Sequence, residues 1–159
     1  MSKFINDGFT RVAWVTTITS KSAPTVAQLN AGTDITGFLT KEGLVTPANQ
    51  NMVDQGTLAT TFNAQGVGTW GSAPIELTGY RDNVDDDAYE AFSYGDDGYL
   101  VIRRGVAATT AWTAAQKVEV WPASSHQPLN QPPATNENAK FKVVLAATEE
   151  PALRATVAA

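Results

Sequence analysis

The clearest alternation in the chain lies at residues 99–104, Tyr-Leu-Val-Ile-Arg-Arg, where a period of two puts Leu100 and Ile102 on one face and Tyr99, Val101 and Arg103 on the other. Asp96-Asp97-Gly98 opens this segment with a turn. A polar, Ala- and Thr-rich connection over 105–116 leads from it to a second strand at 117–121, Lys-Val-Glu-Val-Trp. Residues 140–145 predict a third, with Phe141, Val143 and Leu145 facing one way and Lys140 and Lys142 the other. Three such segments predict a sheet that the rest of the chain must cover. Residues 10–18 predict another strand, with Val12, Trp14 and Ile18 on one face and Ala13 and Val15 on the other, both at least partly covered. Residues 35–39, weakened by Gly37, and residues 75–81 add two more.

Two stretches carry helical spacing. In residues 21–32, Ser22 can cap, Pro24 suits a first turn, Val26, Ala27 and Leu29 supply the apolar positions and Gly32 is a stop. Residues 83–92 predict the main helix, lying across a sheet, with its acids in the first turn and a stripe of Val84, Ala88, Ala91 and Phe92. Residues 124–138, with Pro128, Pro132 and Pro133, predict an exposed loop. Pro151 breaks the run after the third strand, leaving residues 153–157 as a last short strand or a tail.

Over residues 40–73 the pattern dissolves. Gly, Asn, Gln and Thr dominate, and Leu44, Val45, Met52, Val53, Leu58, Phe62, Val67 and Trp70 fall at irregular spacing. A connection this long is uncommon inside a compact domain, and a solvated linker gains nothing from such large apolar residues. The expectation is an extended arm that docks on another surface, with Leu44, Met52, Val53, Leu58, Phe62 and Trp70 as its subunit contacts. The alternative is a loop folded back over its own core with one short hairpin inside it.

Composition narrows the function. At 159 residues the chain fits one domain spanning 1–159. Charged residues are only 17%, so the surface relies on Thr, Asn, Gln and Ser, and a surface poor in Lys and Glu suits being covered by neighbours. A net charge of −5 with 11 scattered basic residues excludes tight binding to nucleic acid through phosphates. The absence of Cys excludes disulfides, thiolate metal sites and a cysteine nucleophile. No window approaches the ~18 apolar residues of a membrane span, so no membrane partner is expected.

The chemical candidates are few. The acids from Asp82 to Asp97 lack the alternating ligands, central glycine and terminal Glu of a calcium loop, and a helix start accounts for most of them. His126, the one histidine, sits in a Ser-Ser-His-Gln-Pro loop with no Gly-x-Ser-x-Gly elbow anywhere in the chain. The glycine-rich run at 65–71 lacks Gly-Lys-Ser/Thr and a following helix, so it imitates a phosphate loop only superficially. Arg103 and Arg104 could grip a carboxylate or phosphate, or form salt bridges with a neighbouring subunit's acids. Trp14, Trp70, Trp112 and Trp121 suit core or interface anchoring more than sugar platforms. No catalytic residue, cofactor or metal is expected.

The order and phrasing of the blocks point further. Residues 11–15 read Arg-Val-Ala-Trp-Val, and residues 24–39 read Pro-Thr-Val-Ala-Gln-Leu-Asn-Ala-Gly-Thr-Asp-Ile-Thr-Gly-Phe-Leu. The long arm follows. Residues 94–105, Tyr-Gly-Asp-Asp-Gly-Tyr-Leu-Val-Ile-Arg-Arg-Gly, precede 117–122, Lys-Val-Glu-Val-Trp-Pro. Together they resemble the major tail proteins, or tail tube proteins, of long-tailed siphophages, especially those of actinobacterial hosts. The resemblance implies a mainly β fold, a β-sandwich with one packed α-helix, related to the type VI secretion tube protein. It implies a structural virion protein, assembled in the host cytoplasm into stacked hexameric rings that form the conduit for genome delivery. Its partners would be further copies of itself and other tail components such as the tape measure, tail terminator and distal tail proteins, with DNA passing through and not tightly bound. The arm over 40–73 would then reach a neighbouring subunit or ring. The alternative is a monomeric β-sandwich module binding glycans or calcium through the tryptophans and the Asp82 to Asp97 acids.

Overall fold

The computed structural model describes residues 1–159, of which 44% lie in strands and 6% in helices, so strand pairing decides the architecture. The strands are β1 (Thr10–Val15), β2 (Thr33–Asp34), β3 (Leu39–Val45), β4 (Ala48–Asp54), β5 (Gln65–Ser72) and β6 (Ile75–Tyr80). They continue as β7 (Asp97–Arg104), β8 (Lys117–Ser125), β9 (Leu129–Asn130), β10 (Lys140–Ala147) and β11 (Ala152–Thr156), and the helices are α1 (Val26–Ala31) and α2 (Asp87–Glu90). One sheet runs in the order β2-β1-β7-β8-β10-β6-β3, with β11 beside β8 and β9 beside β10; β4 and β5 pair only with each other.

β8 is the corner of the body. Its first residues pair with β11 and Ala123–Ser125 pair with β10. Pro122 falls at the handover, where a residue without an N–H costs the ladder least, and its carbonyl accepts from the Thr148 N–H at 3.0 Å. Folded at this corner, the sheet makes two layers around a core that includes Val12, Trp14, Ile75, Leu77, Leu100, Ile102, Trp121, Phe141, Val143 and Leu145. The opposite side of β1, β7 and β8 carries Ala13, Val15, Val101, Val118 and Val120 beneath Leu29 of α1, Ala155 of β11 and Trp112. The three central strands are therefore buried on both faces, and each large side chain so covered contributes about 1.5–3 kcal/mol. Two glycines make room for aromatic rings: a Cβ on Gly98 would meet the Trp14 ring at 2.6 Å, and one on Gly79 the Phe141 ring at 2.8 Å.

The alternation read at 99–104, 140–145 and 75–81 appears as expected, and 152–156 is a strand. Other expectations change. β1 ends at Val15, so Ile18 escapes the alternation and joins the second core beside Val15. Residues 35–38 form a turn between β2 and β3, with Ile35 fully buried. The first helix is shorter than 21–32 because Thr25 caps it: Thr25 Oγ1 accepts from the Gln28 N–H (3.2 Å) and Gln28 Oε1 from the Thr25 N–H (3.1 Å). The main helix of residues 83–92 shrinks to the single turn of α2. Asp82 Oδ1 instead accepts from the N–H groups of Val84 (2.8 Å) and Asp85 (3.2 Å), a local bond that competes with helix. Both expected helices are thus present, each shorter than its sequence span. Ala88 and Phe92 still pack inward, with Phe92 5.1 Å from the Trp14 ring, while Val84 is exposed.

Candidate assembly surface

β3 runs into β4 and β5 into β6, so residues 39–80 form one long two-stranded ribbon whose inner half belongs to the body and whose outer half stands clear of it. Pro47 and Pro74 mark the waist between the halves. The Ala73 N–H donates to the Pro47 carbonyl at 3.2 Å, but Pro47 has no N–H to return the bond, and Ser72 Oγ donates to the Ala73 carbonyl instead at 2.7 Å. Beyond the waist the ladder runs from Ala48↔Ser72 to Asp54↔Gln65, with a bulge between Gln50 and Met52. Every residue of β4 is exposed. At the tip the Gln55 N–H donates to Ala64 O and the Thr60 N–H to Thr57 O, which leaves Leu58 and Phe62 pointing into solvent.

The register sorts the outer ribbon into faces. Gln50 pairs with Trp70 and Met52 with Val67, so Met52, Val67 and Trp70 share one side, and Val53 pairs with Gly66 on the other. The apolar side overlooks Leu153 of β11 across a groove of about 350 Å³, and a second groove of about 320 Å³ separates Trp70 from the Thr148–Pro151 turn. Between Asp54 and Glu76 the chain carries no charged residue. An isolated two-stranded hairpin is marginal in water, and this one spends four large apolar side chains, Met52, Leu58, Phe62 and Val67, on open solvent.

Of the six arm contacts read from sequence, the structure places Met52, Val53, Leu58, Phe62 and Trp70 on the free ribbon. Leu44 is corrected: it pairs with Leu77 in β3 and packs against the body core, so residues 40–45 belong to the sheet. Val67, among the apolar residues of the arm but outside the six contacts, also lies on the free ribbon, and Leu153 carries no periodic sequence signal for its place beside it. Residues 152–156 carry no alternation that would mark Leu153, and only a large apolar residue next to Arg154 hints at it.

Arg103 is corrected as well. Its side chain has no exposure, with Nη1 donating to Ala111 O (3.1 Å) and Gln116 Oε1 (3.0 Å) and Nη2 to Ala107 O (2.9 Å) and Thr110 O (2.8 Å). Its guanidinium lies 4.9 Å from the Trp112 ring, as does that of Arg11, and its Nε has no partner. Burial first, and then the neighbouring Arg11 charge, lowers its pKa, which Asp34 partly offsets. Arg103 thus holds its own 105–116 connection in place and is out of reach of a neighbour's acids. Arg104 remains at the surface, paired with Glu119 of its own chain at 3.0 Å.

The remaining candidates separate cleanly. Trp14, Trp112 and Trp121 are buried, which leaves Trp70 as the one tryptophan facing outward. Residues 65–71 lie in β5 and cradle nothing. No three acids or histidines gather where they could hold a metal ion. The Asp82 carboxyl is held below its usual pKa by the Val84 and Asp85 N–H groups, and Asp86 is gripped by Arg81 at 2.6 Å, itself stacked on Tyr89. His126 is exposed beside Tyr94, with ring centroids 6.0 Å apart. β3 ends the sheet with one edge unpaired, facing the start of β1 across a cleft of about 480 Å³ lined by Thr10, Leu39, Lys41 and Arg104 among others.

A family model described as phage tail tube protein matches residues 1–159. No curated protein matches the chain. Among solved structures, a chain from the cryo-EM structure of the anti-feeding prophage (AFP) baseplate, 6-fold symmetrised, is similar with a TM-score of 0.58 at 10% identity. The match covers 94% of this chain and 95% of that one, and at this identity it is a likeness of fold alone.

Proposed function

This chain belongs to the phage tail tube protein family, and on that premise we propose that its copies close into hexameric rings that stack into the tail tube of a long-tailed siphophage, the conduit for its genome. It is a structural component of the phage tail and not an enzyme. The observation that carries the reading is the outer ribbon, whose strands bury nothing in their own chain and whose apolar side chains need a partner surface. In the assembled tube the ribbon reaches a neighbouring subunit or the next ring. The unpaired edge of β3 supports the same reading, because ring closure removes open sheet edges, and here Lys41, Glu42 and the irregular register between Leu39 and Leu44 are what guard it in the single chain. A net charge of −5 suits a conduit, since acids repel phosphate and DNA slides without sticking. Tape measure, tail terminator and distal tail proteins would meet the stack along its bore and at its ends.

The test is excision of the ribbon at its waist. Ala48 and Ser72 are ladder partners, so replacing residues 49–71 by a two-residue Asn-Gly turn closes the hairpin without disturbing β3 or β6. The shortened chain is expected to keep its thermal midpoint and circular dichroism while losing tubes in negative-stain images. Full-length tubes from the shortened chain would refute the assignment of the ribbon.

A further inference from the structure

The outer ribbon carries two unsatisfied apolar surfaces that cannot satisfy each other within one molecule. One is the tip, with Leu58 and Phe62 exposed. The other is the groove between the ribbon shaft and β11, formed by Met52, Val67, Trp70 and Leu153. To lay the tip on the shaft, the ribbon would have to fold back and break the pairs from Met52↔Val67 to Asp54↔Gln65. The two surfaces match in chemistry. No charged residue lines the groove, and none lies in the tip after Asp54, so joining them strands no ion away from water.

We propose that the ribbon tip of one copy, with Leu58 and Phe62 as its anchors, seats in the groove that Met52, Val67, Trp70 and Leu153 form on another copy. The partner is a second copy of this chain, so the inference rests on the self-assembly proposed above and names the residues that meet. In the ring or stack proposed above, a knob and a groove at different places on one chain meet head to tail, and that contact propagates from copy to copy, whereas a reciprocal two-fold exchange of tips would stop at a pair and give covalent dimers without a ladder. The other exposed apolar segment, near the N-terminus, is a poorer occupant. Phe4 already lies beside Gly105 of its own chain, where a Cβ on the glycine would meet the Phe4 ring at 3.3 Å.

The chain contains no Cys, so engineered thiols report without background. Phe62→Cys and Leu153→Cys, both at exposed positions, are assembled as a mixture and treated with a mild thiol oxidant. Covalent dimers are expected in the mixture and in neither variant alone, and a chain carrying both substitutions is expected to give a ladder of multimers on a denaturing gel. The paired variant Leu58→Ser with Phe62→Ser is expected to raise the concentration needed for particles about tenfold or more. Particles that form without the mixed dimer overturn the inference and leave the tube reading standing. So do dimers of Phe62→Cys alone, or capture of Leu153→Cys by Ile5→Cys in place of Phe62→Cys. A chain that forms no particles under any condition overturns both.

Discussion

Leu100 and Ile102 in β7 and Met52 and Val67 in the outer ribbon have similar chemistry and opposite surroundings: the first two have 0% exposure, the second two 64% and 96%. Both pairs sit in antiparallel ladders with their backbone bonds made. In the body, the ladder is a consequence of packing, because the strands are covered on both faces and hydrogen bonding follows burial. In the ribbon, the ladder stands on its own bonds and local turns. Regular secondary structure therefore does not reveal which part of the molecule is stabilised within the chain and which awaits a partner; the fate of the side chains does.

The sharpest way to break this contrast is a pair of truncations compared in the unassembled protein. Phe141→Ala is expected to cost about 3–5 kcal/mol and lower the thermal midpoint by roughly 10 °C, whereas Val67→Ala should change stability by no more than about 0.5 kcal/mol. Equal losses in thermal melts would mean that the ribbon folds as one unit with the body. Next in size is the arginine pair at the end of β7. Arg103→Met strips the donor from four acceptors of the 105–116 connection, a loss of about 3 kcal/mol in denaturant titration, while Arg104→Met removes one half-exposed ion pair worth at most about 1 kcal/mol. The smallest effect belongs to Asp82. Its carboxyl is held below the ordinary aspartate range by the Val84 and Asp85 N–H groups, so its contribution is present above that range and disappears as pH falls through the folded value. Asp82→Asn should lower stability slightly at neutral pH and leave it unchanged at pH below the folded value, which flattens the acid limb of a pH–stability curve.

What the sequence made legible follows the same division. Residues 99–104, 140–145 and 75–81 announce themselves because one face of each is buried, and burial imposes the period of two. β4 and β5 show no period of two because neither face of the ribbon is covered, so Asn, Gln, Gly and Thr serve as well as Val and a hairpin there is readable only as an alternative. Only the presence of large apolar residues there was readable, and they are the ones left exposed. The helix expected over 83–92 begins late, at Asp87: acids ahead of an apolar stripe look like a helix start, whereas the Asp82 side chain uses the Val84 and Asp85 N–H groups for a turn. Arg103 lies on the face that the alternation assigns it, with Val101, but that face is covered by Trp112 and the 105–116 connection, a contact without periodicity to betray it.

The waist at Pro47 and Pro74 has a mechanical meaning. Two opposed strands that each lack a backbone donor near one level have fewer ladder bonds to resist bending there than the paired stretch from Ala48 to Asp54. In the stack proposed above, such joints would let neighbouring copies tilt with every packed interior left undisturbed.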